Sequence, residues 1–172
     1  PAASAPALFN PLGGIAVLAT NTWLAWQACN ALKTEWQTSD HASYNSDDYQ
    51  QALLDNAAKP GEVMRKLGDF EQATIDAAKV VDASYYAPHL AQAPMEPPAA
   101  TAVVTDDSAE IWACVQAPQT ARQQVAGALK IPVENVTINV TLLGGGFGRK
   151  AKPDFAVEAA LLAKQAGRPV KV

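Results

Sequence analysis

The sequence predicts an α+β or mixed α/β fold, and three observations point to it. Residues 101–115 read as a β-hairpin, residues 136–142 alternate strictly between apolar and polar side chains, and an amphipathic helical pattern follows each. Strands and helices thus interleave, but without the regular βαβ rhythm of an all-parallel sheet. No internal repeat of fixed period is present.

Taken in order, residues 1–12 are rich in Ala and Pro and read as a linker. The apolar run Ile15-Ala16-Val17-Leu18-Ala19 reads as a buried strand. Thr20-Asn21-Thr22 supplies N-cap residues for a helix whose Leu24, Ala28, Ala31 and Leu32 share one face. Asp47, with Gln50 three residues on, has the form of a capping pair for a second helix through Leu53 and Leu54, ended by Lys59-Pro60-Gly61. Residues 63–67 read as a strand, Gly68-Asp69 as a turn, and residues 70–79 as a third helix. The hairpin follows, with its turn at Asp106-Asp107-Ser108. Pro118 suits the first turn of a helix striped by Ala121, Val125, Ala128 and Leu129. In the alternating strand, Val136, Ile138, Val140 and Leu142 take one face, and Thr137, Asn139 and Thr141 the other. The last helix carries Phe155, Ala159, Leu162, Ala163 and Ala166, with Gly167 just past its end. A boundary is expected in the polar stretch 37–60, which separates residues 1–60 from 61–172. The start of a strand at Val170-Lys171-Val172, where the sequence stops, suggests a piece of a longer protein.

Of the 172 residues, 35 are alanine; 49% are apolar, 17% are charged, and the net charge is −4. An ordinary domain carries about 25% charged residues, so this surface is thinly charged. Disorder is disfavoured by the high apolar content. Nucleic-acid binding is disfavoured because 13 Lys and Arg face 17 Asp and Glu. No apolar run is long enough to span a membrane as a helix. Two cysteines, Cys29 and Cys114, exclude a disulfide scaffold; Cys29 is expected buried within its helix, and Cys114 at least half-buried. His41 and His89 lack the spacing of a zinc site, and no Gly-x-Ser-x-Gly elbow occurs.

The richest segment chemically is Leu142-Leu143-Gly144-Gly145-Gly146-Phe147-Gly148-Arg149-Lys150. A strand runs into glycines whose N–H groups can approach an anionic or oxo group closely. Ala151 replaces the Ser or Thr of a P-loop, and the glycine spacing of a dinucleotide fingerprint is not met. A plain glycine turn is the alternative, against which Phe147 argues, since an aromatic among glycines needs something to pack on. Glu96, in Ala93-Pro94-Met95-Glu96-Pro97-Pro98, could hydrogen-bond a cofactor or a neighbouring loop, or be a surface carboxylate. Gln116, between strand and helix, could donate to an oxo ligand or be a solvated turn residue.

These residues together resemble the large, molybdopterin-binding subunit of the xanthine dehydrogenase/aldehyde oxidase family of molybdenum hydroxylases. The likeness runs from Ser108 to Val172 and takes in a strand ending in Gln116, Ile131-Pro132-Val133-Glu134-Asn135-Val136, the glycine loop, Pro153-Asp154-Phe155 and Gly167-Arg168-Pro169-Val170-Lys171. Upstream it takes in Ala93-Pro94-Met95-Glu96-Pro97, Asn21-Thr22-Trp23 and Leu32-Lys33-Thr34-Glu35-Trp36. In style it is nearest the isoquinoline 1-oxidoreductase beta-subunit branch. The resemblance implies the end of a small α/β domain over residues 1–60, followed by the first part of a molybdopterin-binding domain over 61–172.

It further implies a molybdenum–molybdopterin cofactor, in the cytosine dinucleotide form. Gln116 matches the glutamine that hydrogen-bonds the oxo ligand of molybdenum. Phe147 and Gly148 match the loop beside the metal, and Gly145 and Gly146 its close-approach turn. The implied reaction oxidises an aldehyde or an N-heteroaromatic substrate with water as the oxygen source. Electrons would leave through iron–sulfur clusters on a partner subunit, with a further electron-transfer subunit possible in such complexes. Ala151 stands where purine-oxidising members carry a substrate-binding glutamate, which disfavours a purine. The family's general-base glutamate belongs to a part of the subunit not matched by this chain, and neither Glu96 nor Glu158 replaces it. The branch implies a periplasmic or membrane-associated setting and leaves a cytoplasmic one open. The alternative to an enzyme segment is a noncatalytic binding or assembly module on the same scaffold.

Overall fold

The computed structural model describes residues 13–38 and 40–172, with backbone alone at Asp40 and His41. The predicted linker over residues 1–12 lies outside the described residues. The chain divides into two compact units, Ala31–Leu90 and a second that joins Ala91–Val172 to the residues before Ala31.

In the first stretch, residues 13–19 form no strand. An extended run needs a neighbour to take its backbone groups, and no described strand pairs with it. Helix α1, Thr22–Ala31, starts as expected, with the Asn21 side-chain oxygen accepting the Leu24 N–H at 2.9 Å. It buries no residue, so Cys29 is exposed and not buried as its helical pattern had suggested.

Unit Ala31–Leu90 holds a 3₁₀ turn, Asp40–Ser43, and two helices. Helix α2, Ser46–Ala57, is capped by Asn45, which accepts the N–H groups of Asp47 (2.8 Å) and Asp48 (3.3 Å). The cap thus lies two residues before the expected one. Asp47 and Asp48 fall in the first turn, where carboxylates complement the helix dipole. Helix α3, Phe70–Asp76, is capped by Asp69 through the Gln72 N–H (3.0 Å) and stops short of residue 79 because Ala77 turns extended. Residues 63–67 form no strand. The Tyr49 ring lies 5.7 Å from Tyr44 and 5.4 Å from His89.

Unit two contains the sheet, ordered β3-β2-β1-β4. Strands β1, Ala100–Val104, and β2, Ala109–Ala113, form the predicted antiparallel hairpin, closed by the Thr105 N–H to the Ser108 carbonyl at 2.9 Å. Helix α4, Pro118–Leu129, then carries the chain to β3, Val136–Val140, which pairs parallel to β2. Helix α5, Asp154–Ala166, leads to β4, Val170–Lys171, antiparallel to β1. Strand β2 alternates between buried Ala109, Ile111 and Ala113 and exposed Glu110 and Trp112. One face of the sheet is therefore covered, by α4 on β3 and α5 across β1, β2 and β4. Strand β3 is only partly buried: Val136 is enclosed, but Val140 and, beyond the strand, Leu142 are exposed.

The core explains the alanine content. Among the described residues the buried apolar core holds eighteen, ten of them alanine. Ala156, Ala159, Ala160 and Ala163 of α5 meet a sheet that offers Ala100 and Ala102, so small side chains on both surfaces let helix and sheet approach closely. Ala102, in the strand beneath this helix, has no exposed surface. Ala102→Leu is expected to destabilise the chain by about 1–3 kcal/mol through overpacking, seen as a lower denaturant midpoint at unchanged slope.

Candidate functional site

Strands β2 and β3 are parallel and in register at Ala113 and Val140, so their carboxyl ends lie side by side. That edge is where open α/β sheets bind ligands. The segment after β2 carries Cys114, Val115 and Gln116, and the segment after β3 carries the glycine loop. The topology thus brings together the two stretches that carried most of the sequence signal. A bond from the Thr141 N–H to the Ala113 carbonyl (3.2 Å) extends the pairing toward the loop.

Gln116 sits in the loop's crook. Its backbone N–H donates to the Lys150 carbonyl at 3.0 Å, and its side-chain Oε1 accepts the Gly148 N–H at 3.1 Å. An N–H donor fixes the amide orientation, so the Nε2 group is left as a donor with no hydrogen-bond partner among the described residues. Gly146 is buried against this side chain: a Cβ there would lie 2.7 Å from Gln116 Cδ. Gly144 is equally constrained, since its Cβ would come within 2.7 Å of Glu96 Cβ. Both positions require glycine for close approach.

Phe147 adopts φ +50°, in the left-handed region rare for an aromatic residue, and Gly145 and Gly148 flank it at φ +91° and +90°. Its ring reaches back over Gly145, yet 73% of the residue stays exposed. The expected packing partner is therefore not supplied by the described residues. Gly148 itself opens to empty space. The loop then turns into a short 3₁₀ segment, Arg149–Ala151. Arg149 grips Asp154 with two bonds of 2.9 Å at the start of α5, fixing the loop's exit.

The strongest feature was not read from the sequence at all. Lys150, treated there as one of two loop cations, has no exposed surface, and its Nζ lies 2.6 Å from Glu96 Oε2. The same Oε2 accepts the Gly144 N–H at 2.9 Å, and the Glu96 N–H donates to the Gly144 carbonyl at 3.1 Å. Of the readings open for Glu96, the structure realises the neighbouring-loop one. The Cys114 thiol, buried as expected, lies beside both charges. Burial acts to lower the Lys150 pKa, but the hydrogen bonds to Glu96 and Cys114 outweigh it and hold the ammonium above its ordinary value. Glu96 is held below the ordinary 4.5, first by Lys150 and then by the Gly144 N–H, with desolvation working against both.

Three short segments at the carboxyl edge of a parallel strand pair thus converge on an open glycine-lined face with an aromatic ring and an uncommitted amide donor. Such an arrangement, in an α/β unit, leaves hydrogen-bond donors open to a ligand. A family model of molybdopterin cofactor-binding domains matches residues 54–172, and the chain belongs to that family. The aldehyde oxidoreductase molybdenum-binding subunit PaoC of Escherichia coli (strain K12) is 34% identical over 160 residues, covering 92% of this chain and 21% of that protein. The isoquinoline 1-oxidoreductase subunit beta of Brevundimonas diminuta is 30% identical over 171 residues, covering 92% of this chain and 22% of its own length. The crystal structure of quinoline 2-oxidoreductase from Pseudomonas putida 86 superposes with a TM-score of 0.53 at 30% identity, over 60% of this chain and 14% of the other. The chain spans about a fifth of the length of the curated relatives it matches.

Two outcomes follow from the geometry. Gly146→Ala is expected to push Gln116 off Gly148 at a cost of about 1 kcal/mol, visible as faster amide exchange at Gly148 in a chain that still folds. The ion pair should also carry a pH signature. With the Glu96 pKa lowered, its contribution is complete at neutral pH and lost as pH falls through that lowered value. With the Lys150 pKa raised, the contribution is lost again as pH rises through the raised value. Glu96→Gln, which mimics the protonated acid, should lower the thermal midpoint at pH 7 and converge with the wild type well below pH 4.5.

Proposed function

We propose that this chain forms one wall of the cofactor site in a molybdenum hydroxylase, within the subunit that binds molybdenum–molybdopterin. The observation that carries the reading is Gln116. The loop consumes its Oε1 through the Gly148 N–H and leaves its Nε2 as a fixed donor at an open face. The donor set fits the group: an amide N–H₂ for an oxo oxygen, glycine backbone at Gly145, Gly146 and Gly148 for close approach, and the Phe147 ring to line the substrate position. The bound cofactor supplies oxidation of an electron-poor carbon with water as the oxygen source. This chain's own residues orient and donate; the proton-abstracting base is assigned to another part of the longer protein.

The names of the relatives support the substrate class, since they belong to oxidoreductases of aldehydes, isoquinoline and quinoline. Ala151, with its N–H bonded to the Gly148 carbonyl at 3.2 Å, brings no carboxylate to the loop, which supports an aldehyde or N-heterocycle over a purine. The cytosine dinucleotide form and an iron–sulfur partner subunit complete the proposal, resting on the family resemblance. The start of the matched family region at residue 54 supports a domain boundary near residue 60. The exposed apolar side chains of α1, among them Trp23 and Trp26, suit a surface covered by the rest of the large subunit.

Molybdenum and pterin analysis of the complete native complex tests the reading; an active, molybdenum-free complex would overturn it. In that complex Gln116→Ala should lower kcat by about 10²-fold, in the range found for a lost oxyanion donor, with folding unaffected. An unchanged turnover rate would point instead to the noncatalytic module.

A further inference from the structure

Lys150 and Glu96 lie outside the group of residues proposed to face the cofactor, yet they connect every segment that carries one. The links form a closed circuit. The Gln116 N–H bonds to the Lys150 carbonyl; Lys150 Nζ bonds to Glu96 Oε2; Glu96 Oε2 and its backbone N–H hold Gly144 on both sides; and Gly148, four residues on, returns to Gln116 Oε1. Between Gly144 and Gly148 stands Phe147, in a conformation that an unconstrained aromatic residue avoids. A loop with four glycines in five positions has little intrinsic preference for one shape. Something must select it.

We infer that the Lys150–Glu96 ion pair is a positioning device, which holds the glycine loop against the end of β2 and thereby sets Phe147 and Gln116 toward the proposed cofactor. Hydrophobic packing around the buried Lys150 stem could supply stability, since replacing an ion pair whose ammonium is buried by apolar residues is often neutral, and Glu96 itself is only partly buried. It could not supply the acceptor for the Gly144 N–H or tie the register of residues 94–97 to that of the loop. A buried ammonium has few acceptable partners, and the one it meets at 2.6 Å, Glu96 Oε2, also accepts the Gly144 N–H, which ties the contact to one place in the loop. Glu96 is here a positioning residue: its Oε2 is shared by the Lys150 ammonium and the Gly144 N–H.

The inference rests on the proposed cofactor site, and the test keeps the two apart. In the complete subunit within its native complex, Glu96→Leu/Lys150→Met removes both charges together, so neither is left buried alone. The thermal midpoint is expected to stay within a few degrees of wild type. Amide exchange across residues 144–150 should rise at least tenfold, and kcat should fall at least tenfold with molybdenum content retained. A folded double variant with unchanged loop exchange and unchanged turnover would overturn the inference. Should that variant not fold, exchange in the unmodified complex decides: strong protection at Gly144 and Gly148 supports the circuit, and free-loop rates at both overturn it. A wild-type complex without molybdenum defeats the proposed function alone, because loop exchange still reports on the ion pair.

Discussion

An ammonium group with no exposed surface has to be met by hydrogen-bond acceptors, and at Lys150 the acceptor is a carboxylate whose placement organises the carboxyl edge of the sheet. The answering Glu96 comes from a proline-rich segment that precedes β1, more than fifty residues earlier in the chain. By meeting Lys150 it also captures Gly144, and so anchors the first glycine of the loop while the Lys150 carbonyl anchors Gln116. The Phe147 ring, the Gln116 amide and the glycine backbone then acquire fixed relations that none of their local sequences would impose. Fixed donors are what make such a face useful, since a polar group that need not reorganise on binding interacts more strongly in a dry site.

The scaffold beneath is built to deliver those segments to one place. Parallel pairing of β2 with β3 through α4 puts both strand ends at the same edge, and α5 locks the loop's exit through the Arg149–Asp154 pair. Alanine carries much of this. A helix with Ala156, Ala159, Ala160 and Ala163 inward can lie close on a sheet that presents Ala100 and Ala102, which keeps the layers thin. The composition that first marked the chain as thinly charged is thus, in the sheet unit, a packing property.

How far the sequence could be read depended on whether its signals were local. The hairpin, α4, α5 and the alternating β3 were legible because period and turn chemistry are local, and the buried stripe of α4 falls on Ala121, Val125 and Leu129 as expected. Strands at residues 15–19 and 63–67 were misread because a short apolar run does not specify that a partner strand exists. Asn45 was overlooked as a cap in favour of Asp47, since both are good capping residues and only backbone geometry separates them. Cys29 followed the helical pattern correctly but not its burial, which depends on what covers α1.

Residue types and the order of motifs were enough to point to the family and to propose Gln116, Gly145, Gly146, Phe147 and Gly148 as site candidates. Those properties are written in the chain itself, because a glycine-rich turn between a strand and a helix has local chemistry. The pairing of Lys150 with Glu96, the side of the Gln116 amide left to donate, and the need for glycine at positions 144 and 146 were decided only in three dimensions. Each is a contact between residues separated by 30 or more positions. Such contacts depend on which strands pair and in what direction, and no local pattern carries that information.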